Sequence, residues 1–410
     1  MYSTGSHTRA SAVRPLLALA LCSFVMGMAE FVIMGILPNI AADLSVSISN
    51  TGLLITGYSL GVALSAPVVV LMTSKLSRRR LLIALLAIFV IGNLLASISS
   101  DFTILMIARI VSALPHGAFF GIAAVIASGL VAPDRRAGAV AMIISGASIA
   151  NIVGVPLGTF LGQSFGWRST FAAITIISII ALILIATMIP KDANNGSASV
   201  RREIGAMLKP QAIVALLVSA TSFGGVSVVF TYITPILEQI TSFSAQSVAW
   251  ILVLFGVGVT LGNYIGGRLA DWRLAGSMMV ITGCLAVSQL LLFVTSHNKI
   301  TAVADVFLLG VFSFGMFPCL TINIMNKSKE ALNLASTMNV SAIHISNATG
   351  AWLGGLIIDS RFGLSHLPIF ASMITMGGLA LMTLGLALDR RFMQGESVDE
   401  SNLSKIDARS

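Results

Sequence analysis

The sequence predicts an all-α membrane protein of twelve transmembrane helices, arranged as two pseudo-symmetric six-helix bundles. Composition, the spacing of its apolar runs and an internal repeat carry this reading. Of 410 residues, 56% are hydrophobic and 10% charged, and the mean hydropathy is +0.95, a balance outside that of soluble domains. Lipid is therefore the solvent for most of the chain. A hydrocarbon core about 30 Å thick takes roughly 20 apolar residues per helix. Such runs fall at about 15–37, 51–73, 81–99, 102–127, 137–161, 168–189, 211–235, 246–267, 276–296, 303–326, 332–357 and 367–388. Barrel strands would alternate in polarity, and these runs do not.

The first run follows Arg14, as in a signal peptide, but it exceeds twenty residues and lacks a small-residue cleavage site. It is read as a retained span. The formal net charge of +8 does not point to nucleic acid, because the basic residues sort by loop. With the N-terminus inside, the cytoplasmic segments hold twenty of them and the outer loops three, Arg168, Lys299 and Arg361. That bias predicts that both termini are cytoplasmic, and the expected location is a bacterial inner membrane. Cys22, Cys284 and Cys319 each stand alone in an expected span and read as packing residues, so no metal site or cofactor is expected from them.

The longest interior polar stretch, from Pro190 to Lys209, divides the chain. The expected organisation is a bundle over 1–190, a cytoplasmic linker over 191–209, a bundle over 210–390 and a cytoplasmic tail over 391–410. A shift of 197 residues brings Gly61 onto Gly258, Ser74 onto Asp271, Gly158 onto Gly355 and Gly166 onto Gly363. A duplicated six-helix unit of this parallel kind places a solute site between the halves near mid-membrane.

Within the spans, a few residues break the rule against charge in lipid. Glu30 lies about seven residues from the outer end of span one, roughly 10 Å deep. A charge there costs about 2.5–3.5 kcal/mol on insertion scales, so it must be protonated, paired or in contact with water. Arg109, in span four, lies at a similar depth and is the expected partner of Glu30. The pair reads either as a proton-coupling device or as a static tie between spans one and four. His116 follows Arg109 by seven residues, on nearly the same helix face, and Pro115 frees backbone carbonyls beside it. Glu30, Arg109 and His116 are thus the proton-coupling candidates, with a hydrogen-bonded core histidine as the alternative reading of His116. Tyr58, Asn151, Tyr232, Asn323, Asn347 and His344 are candidates for the cavity wall, each with interhelical packing as its alternative reading.

These residues resemble the major facilitator superfamily over the whole chain, in particular its twelve-span proton-driven exporters of drugs and sugars. In that family the loop between spans two and three carries Gly-x-Leu-Ala-Asp-Arg-x-Gly-Arg-Arg. Here VLMTSKLSRRR keeps Lys75, Arg78 and Arg79 but has Val70, Ser74 and Ser77 at the Gly, Asp and Gly positions; the second copy, GRLADW, keeps Asp271. The resemblance implies that Lys75, Arg78, Arg79 and Asp271 form cytoplasmic gate loops. Arg109 followed by Gly117 is similar to the family's span-four pattern, in which the arginine is linked to proton transfer. In span five, Gly146, Gly154, Pro156 and Gly158 look like the antiporter motif, with Val155 where a glycine usually precedes the proline.

The expected function is secondary active transport, efflux of a small organic solute such as a sugar, nucleoside or drug in exchange for protons. Uptake by symport or facilitated diffusion is the alternative, and a non-transporting membrane sensor is the alternative of another class. A catalytic nucleophile with its base, or a Gly-Lys-Ser/Thr phosphate loop, is not found in the sequence, so neither an enzyme nor direct ATP drive is expected. The expected partners are the solute, protons and the lipid bilayer, with the chain a monomer, no cofactor, and a proton gradient as energy source.

Overall fold

The computed structural model describes residues 9–72, 77–190, 209–328 and 331–407. Lys75 and residues 191–208 of the expected linker lie outside them. All the regular elements among the described residues are helical. That is what hydrocarbon imposes, since lipid offers backbone N–H and C=O groups no hydrogen-bond partner.

Span one is Arg9–Gly35, span two Ile48–Met72, span three Arg78–Ser97 and span six Trp167–Met188. Span four is broken at Leu114 and Pro115 into Phe102–Ala113 and His116–Gly129, as a proline without an N–H requires. Span five runs Arg136–Ile149, passes through a π-helical turn at Ala150–Gly154 and ends as Val155–Phe165. Span seven is Pro210–Ser222 and Gly224–Phe230.

Among the described residues, ten helices are long and apolar enough to cross a membrane. One of them, Ala245–Thr295, is 51 residues long and leaves helical geometry at Arg273 (φ −150°, ψ 81°). Its length of about 75 Å and the break make it spans eight and nine. Span ten is Lys299–Lys327. Span eleven, Leu332–Asp359, is long enough but too rich in Ser, Thr and Asn to rank with those ten. Span twelve starts at Leu367 and its helix continues to Asp407, well into the segment expected as a tail.

The described residues with positive φ fall into pairs. Gly166 (φ +87°) and Gly363 (φ +65°) turn the chain after spans five and eleven, and Ser45 (φ +53°) and Ser242 (φ +58°) do so after spans one and seven. Members of each pair stand 197 residues apart, so the two halves reverse direction with the same backbone device at the same offset. Left-handed geometry is free for glycine and costs serine energy.

The halves meet along span two against span eleven and span five against span eight. Small residues set the distance inside and between them. A Cβ on Gly262 of span eight would sit 2.2 Å from the Val311 carbonyl oxygen of span ten, and one on Gly256 2.2 Å from the Asn151 oxygen of span five. At the end opposite the termini, Asp43 accepts hydrogen bonds from Arg168 Nη1 (2.6 Å) and Trp167 Nε1 (3.0 Å). The Arg168 bond, with Trp167 second, holds the Asp43 carboxyl below its ordinary range.

Gly262→Ala should destabilise the detergent-solubilised protein by about 1–3 kcal/mol through overpacking. Gly267→Ala, whose Cβ meets nothing within 4 Å, should cost nothing in the same thermal melt. Asp43→Asn should lose no more than about 1 kcal/mol at neutral pH, because the pair is exposed. A lowered carboxyl stabilises above its unfolded pKa and loses that effect as pH falls, so melts of wild type and Asp43→Asn should converge below the ordinary aspartate range.

Candidate functional site

Five of the residues singled out from sequence come together where spans one, two, four and eleven meet. Glu30 projects from span one, and its side chain is 14% exposed. Its Oε2 lies 3.4 Å from His116 Nε2 and its Oε1 3.9 Å from His344 Nε2. His116 belongs to the first half and His344, in span eleven, to the second, so the carboxylate stands on the seam. The two imidazole rings are 5.7 Å apart, edge to face. Tyr58 Oη of span two is 2.9 Å from His116 Nδ1, a bond that fixes the ring's orientation.

Arg109 does not pair with Glu30 as expected from their depth. Its guanidinium lies over the Tyr58 ring, 4.0 Å from the centroid, and Nη1 donates to the Ala29 carbonyl, 2.7 Å. The span-four break explains the displacement, because it lets His116 rather than Arg109 reach the carboxylate. The guanidinium is buried, and its Nε and Nη2 find no acceptor among the described residues. Arg109, Tyr58, His116, Glu30 and His344 thus form a chain of polar contacts across the seam.

A cavity of about 20 Å³ adjoins Glu30 and Tyr58, with Asn347 and Ser227 on its second-half side. Much of its wall is aromatic, from Phe31, Phe223, Phe230 and Phe314. These rings pack edge to face, Phe31 6.1 Å from Phe230 and 6.0 Å from Phe314. From sequence, the many phenylalanines could wall an apolar ligand or simply pack the core, and nothing in their spacing separates the two.

The remaining candidates sit elsewhere. Asn151 is buried in the π-helical turn and donates to Ala147 O, 3.1 Å, one turn back. Tyr232 donates to Ala351 O, 2.9 Å, within the second half, and Asn323 is buried in span ten; none of the three lines the cavity. Gly146, Gly154 and Gly158 face span one, where a Cβ on Gly146 would lie 2.1 Å from Ala20 O. They and Pro156, just past the π-helical turn, act in helix packing. Arg79 Nη2 donates to Ala186 O at the end of span six; Arg78 opens span three and Asp271 is exposed.

Two polar groups were missed. Asp305 is buried in span ten and accepts from Ser288 Oγ (2.6 Å) and Thr295 Oγ1 (2.8 Å). Asp359, at the end of span eleven, accepts from Ser49 Oγ of span two, 2.7 Å. This second bond crosses the seam at the end opposite the termini and latches the halves together there. Thr56 Oγ1 adds a bond to Ala348 O, 3.3 Å, further along the same pair of helices.

Residues 19–351 match the Major Facilitator Superfamily. An inner membrane transport protein of Escherichia coli K12, YdhP, is 38% identical over 368 residues, covering 90% of this chain and 94% of its own. A chloramphenicol resistance protein of Streptomyces lividans is 29% identical over 361 residues, covering 87% and 91%. Among solved structures, the xylose transporter XylE of E. coli in a partially occluded inward-open conformation aligns over 91% of this chain and 97% of its own. Its TM-score is 0.71 at 15% identity, a likeness of fold.

Removing the latch should loosen the seam. In a Cys284→Ser background, where Cys22 and Cys319 are buried, Thr56→Cys should react slowly with a membrane-impermeant maleimide. Adding Asp359→Ala should speed that reaction about tenfold, the population shift from losing a charge-assisted hydrogen bond of about 1.5 kcal/mol. Unchanged labelling would mean that the bond does not hold the seam closed.

Proposed function

The chain belongs to the Major Facilitator Superfamily and is a multi-pass membrane transporter, and from that membership we propose that it exports a small organic solute in exchange for protons. The observation that carries the proposal is the Glu30 carboxylate held between His116 of one half and His344 of the other. Rocking of one half against the other must break the His344 contact. Proton occupancy of Glu30 and the position of the halves therefore share the same atoms. Arg109 and Tyr58 set the field and orientation of this group rather than neutralise it directly.

With the positive-rich loops inside, the Ser49 to Asp359 latch lies on the outer face of the inner membrane and closes it. Small-ligand pockets usually measure about 300–1,000 Å³, so a cavity of about 20 Å³ belongs to a closed seam that must part to admit solute. The aromatic wall suits a solute with an apolar face, and the polar edge of Asn347, Ser227 and Tyr58 suits a few hydrogen-bonding groups on it. A small amphipathic antibiotic has that character, in keeping with the Streptomyces lividans relative. A sugar has no comparable apolar area to set against four phenyl rings. The protein acts as a monomer without a cofactor, drawing on the proton gradient.

The test is transport in proteoliposomes with an imposed pH gradient, screening small antibiotics, nucleosides and pentoses for solute-induced proton flux. Wild type should show flux that needs the solute, and Glu30→Gln should abolish it while the solute still binds. Equal solute movement without a gradient, unaffected in Glu30→Gln, would make the protein a facilitator.

A further inference from the structure

We infer that Glu30, His116 and His344 form a site for a divalent transition-metal ion of the zinc type, whose binding ties the two halves together. Three ligand atoms, a carboxylate oxygen and two imidazole nitrogens, lie within 4.8 Å of one another. Metal bonds of about 2.0–2.2 Å at tetrahedral angles place ligand atoms about 3.4 Å apart. His116 Nε2 is already 3.4 Å from Glu30 Oε2 and His344 Nε2 is 3.9 Å from Glu30 Oε1, so the two histidines face the two oxygens of one carboxylate. Shifts well under a side-chain rotamer change complete the set.

The surroundings fit a metal site rather than a chance cluster. His116 Nδ1 is bonded to Tyr58 Oη, 2.9 Å; with Nδ1–H as the donor, this is the outer contact that orients a ligating imidazole and leaves its Nε2 for the metal. Both histidines are buried, on helices rather than loops. The adjoining cavity of about 20 Å³, which Glu30 lines, has room for one water, the size of a fourth ligand in sites with two histidines and one carboxylate.

The ligand set also selects the ion. Mg²⁺ and Ca²⁺ need several oxygen ligands, and here there is one carboxylate with the Arg109 charge nearby on the Tyr58 ring. Ions that favour imidazole, such as Zn²⁺, Co²⁺ and Ni²⁺, rely less on anionic oxygen. Because His344 comes from span eleven and the other two ligands from spans one and four, a bound ion opposes separation of the halves. It holds the transporter closed rather than travelling with the solute. The site stands on geometry alone and holds whether or not transport is proton-coupled.

The test is titration calorimetry of the detergent-solubilised full chain with Zn²⁺ at neutral pH, with neither solute nor pH gradient, so its failure leaves the transport proposal untouched. One Zn²⁺ per chain should bind, Mg²⁺ and Ca²⁺ should not, and His116→Gln and His344→Gln should each weaken Zn²⁺ more than about 100-fold. Tyr58→Phe should weaken it about tenfold, the usual range for an outer-shell partner. Binding that survives His344→Gln would show that the halves are not bridged and would overturn the proposal. Co²⁺ added to the wild type gives a readout independent of variant folding: a visible band of low-symmetry nitrogen and oxygen ligation is expected, and the spectrum of free hydrated Co²⁺ would also overturn it.

Discussion

Hydrocarbon offers no hydrogen bonds, and this molecule's form follows from that single constraint. Every span is a helix because the backbone must satisfy itself. Hydroxyls within the spans mostly bond back to their own turn, as Thr175 does to Phe171 O and Ser178 to Ile174 O, at little cost to packing. Groups too polar for that solution collect where protein covers them. Asp305 finds two hydroxyls inside the second half; Glu30, Arg109 and the two histidines collect on the seam. The seam is thus the place where charge can be kept under protein cover.

The two halves share a backbone plan but contribute unlike chemistry to that seam. The titratable groups come mainly from the first half, through Glu30, Arg109, Tyr58 and His116, while Phe223, Phe230 and Phe314 of the second half furnish most of the aromatic wall. His344 is the exception, with its Nε2 3.9 Å from the carboxylate. That division lets one half carry the ionic equilibrium and the other the apolar solute surface. Motion between the halves is therefore felt electrostatically at the His344 to Glu30 contact.

The close approach of helices supports this arrangement mechanically. Glycines on spans five and eight bring the backbones so near that a single added Cβ would collide with a carbonyl, as at Gly146 and Gly256. Span five is wedged against span one by these contacts, which fixes the depth of Glu30. The π-helical turn at Ala150–Gly154 adds a residue to the helix ahead of Pro156 and turns the later part of the span. The glycine and proline pattern that resembles an antiporter motif therefore works here as a mount for the Glu30 helix, at a distance from the cavity itself.

Local chemistry alone determined the twelve spans, the duplication and the identity of the charged residue in span one. Apolar runs, a polar linker and a 197-residue offset are written along the chain, and the cost of a lone carboxylate in lipid needs no coordinates. The offset even reaches the turns, where Gly166 and Gly363 share a left-handed backbone. Partner choice belonged to the tertiary structure. Depth along a helix placed Arg109 and Glu30 level, but the break at Pro115 and the pull of the Tyr58 ring sent Arg109 aside and put His116 and His344 on the carboxylate. Asn151, Asn323 and Tyr232 looked as suitable for a cavity as Asn347, and only helix rotation separated them. Periodicity states which residues share a face of one helix; which face meets the seam depends on how a dozen helices pack, and that is a property of no single segment.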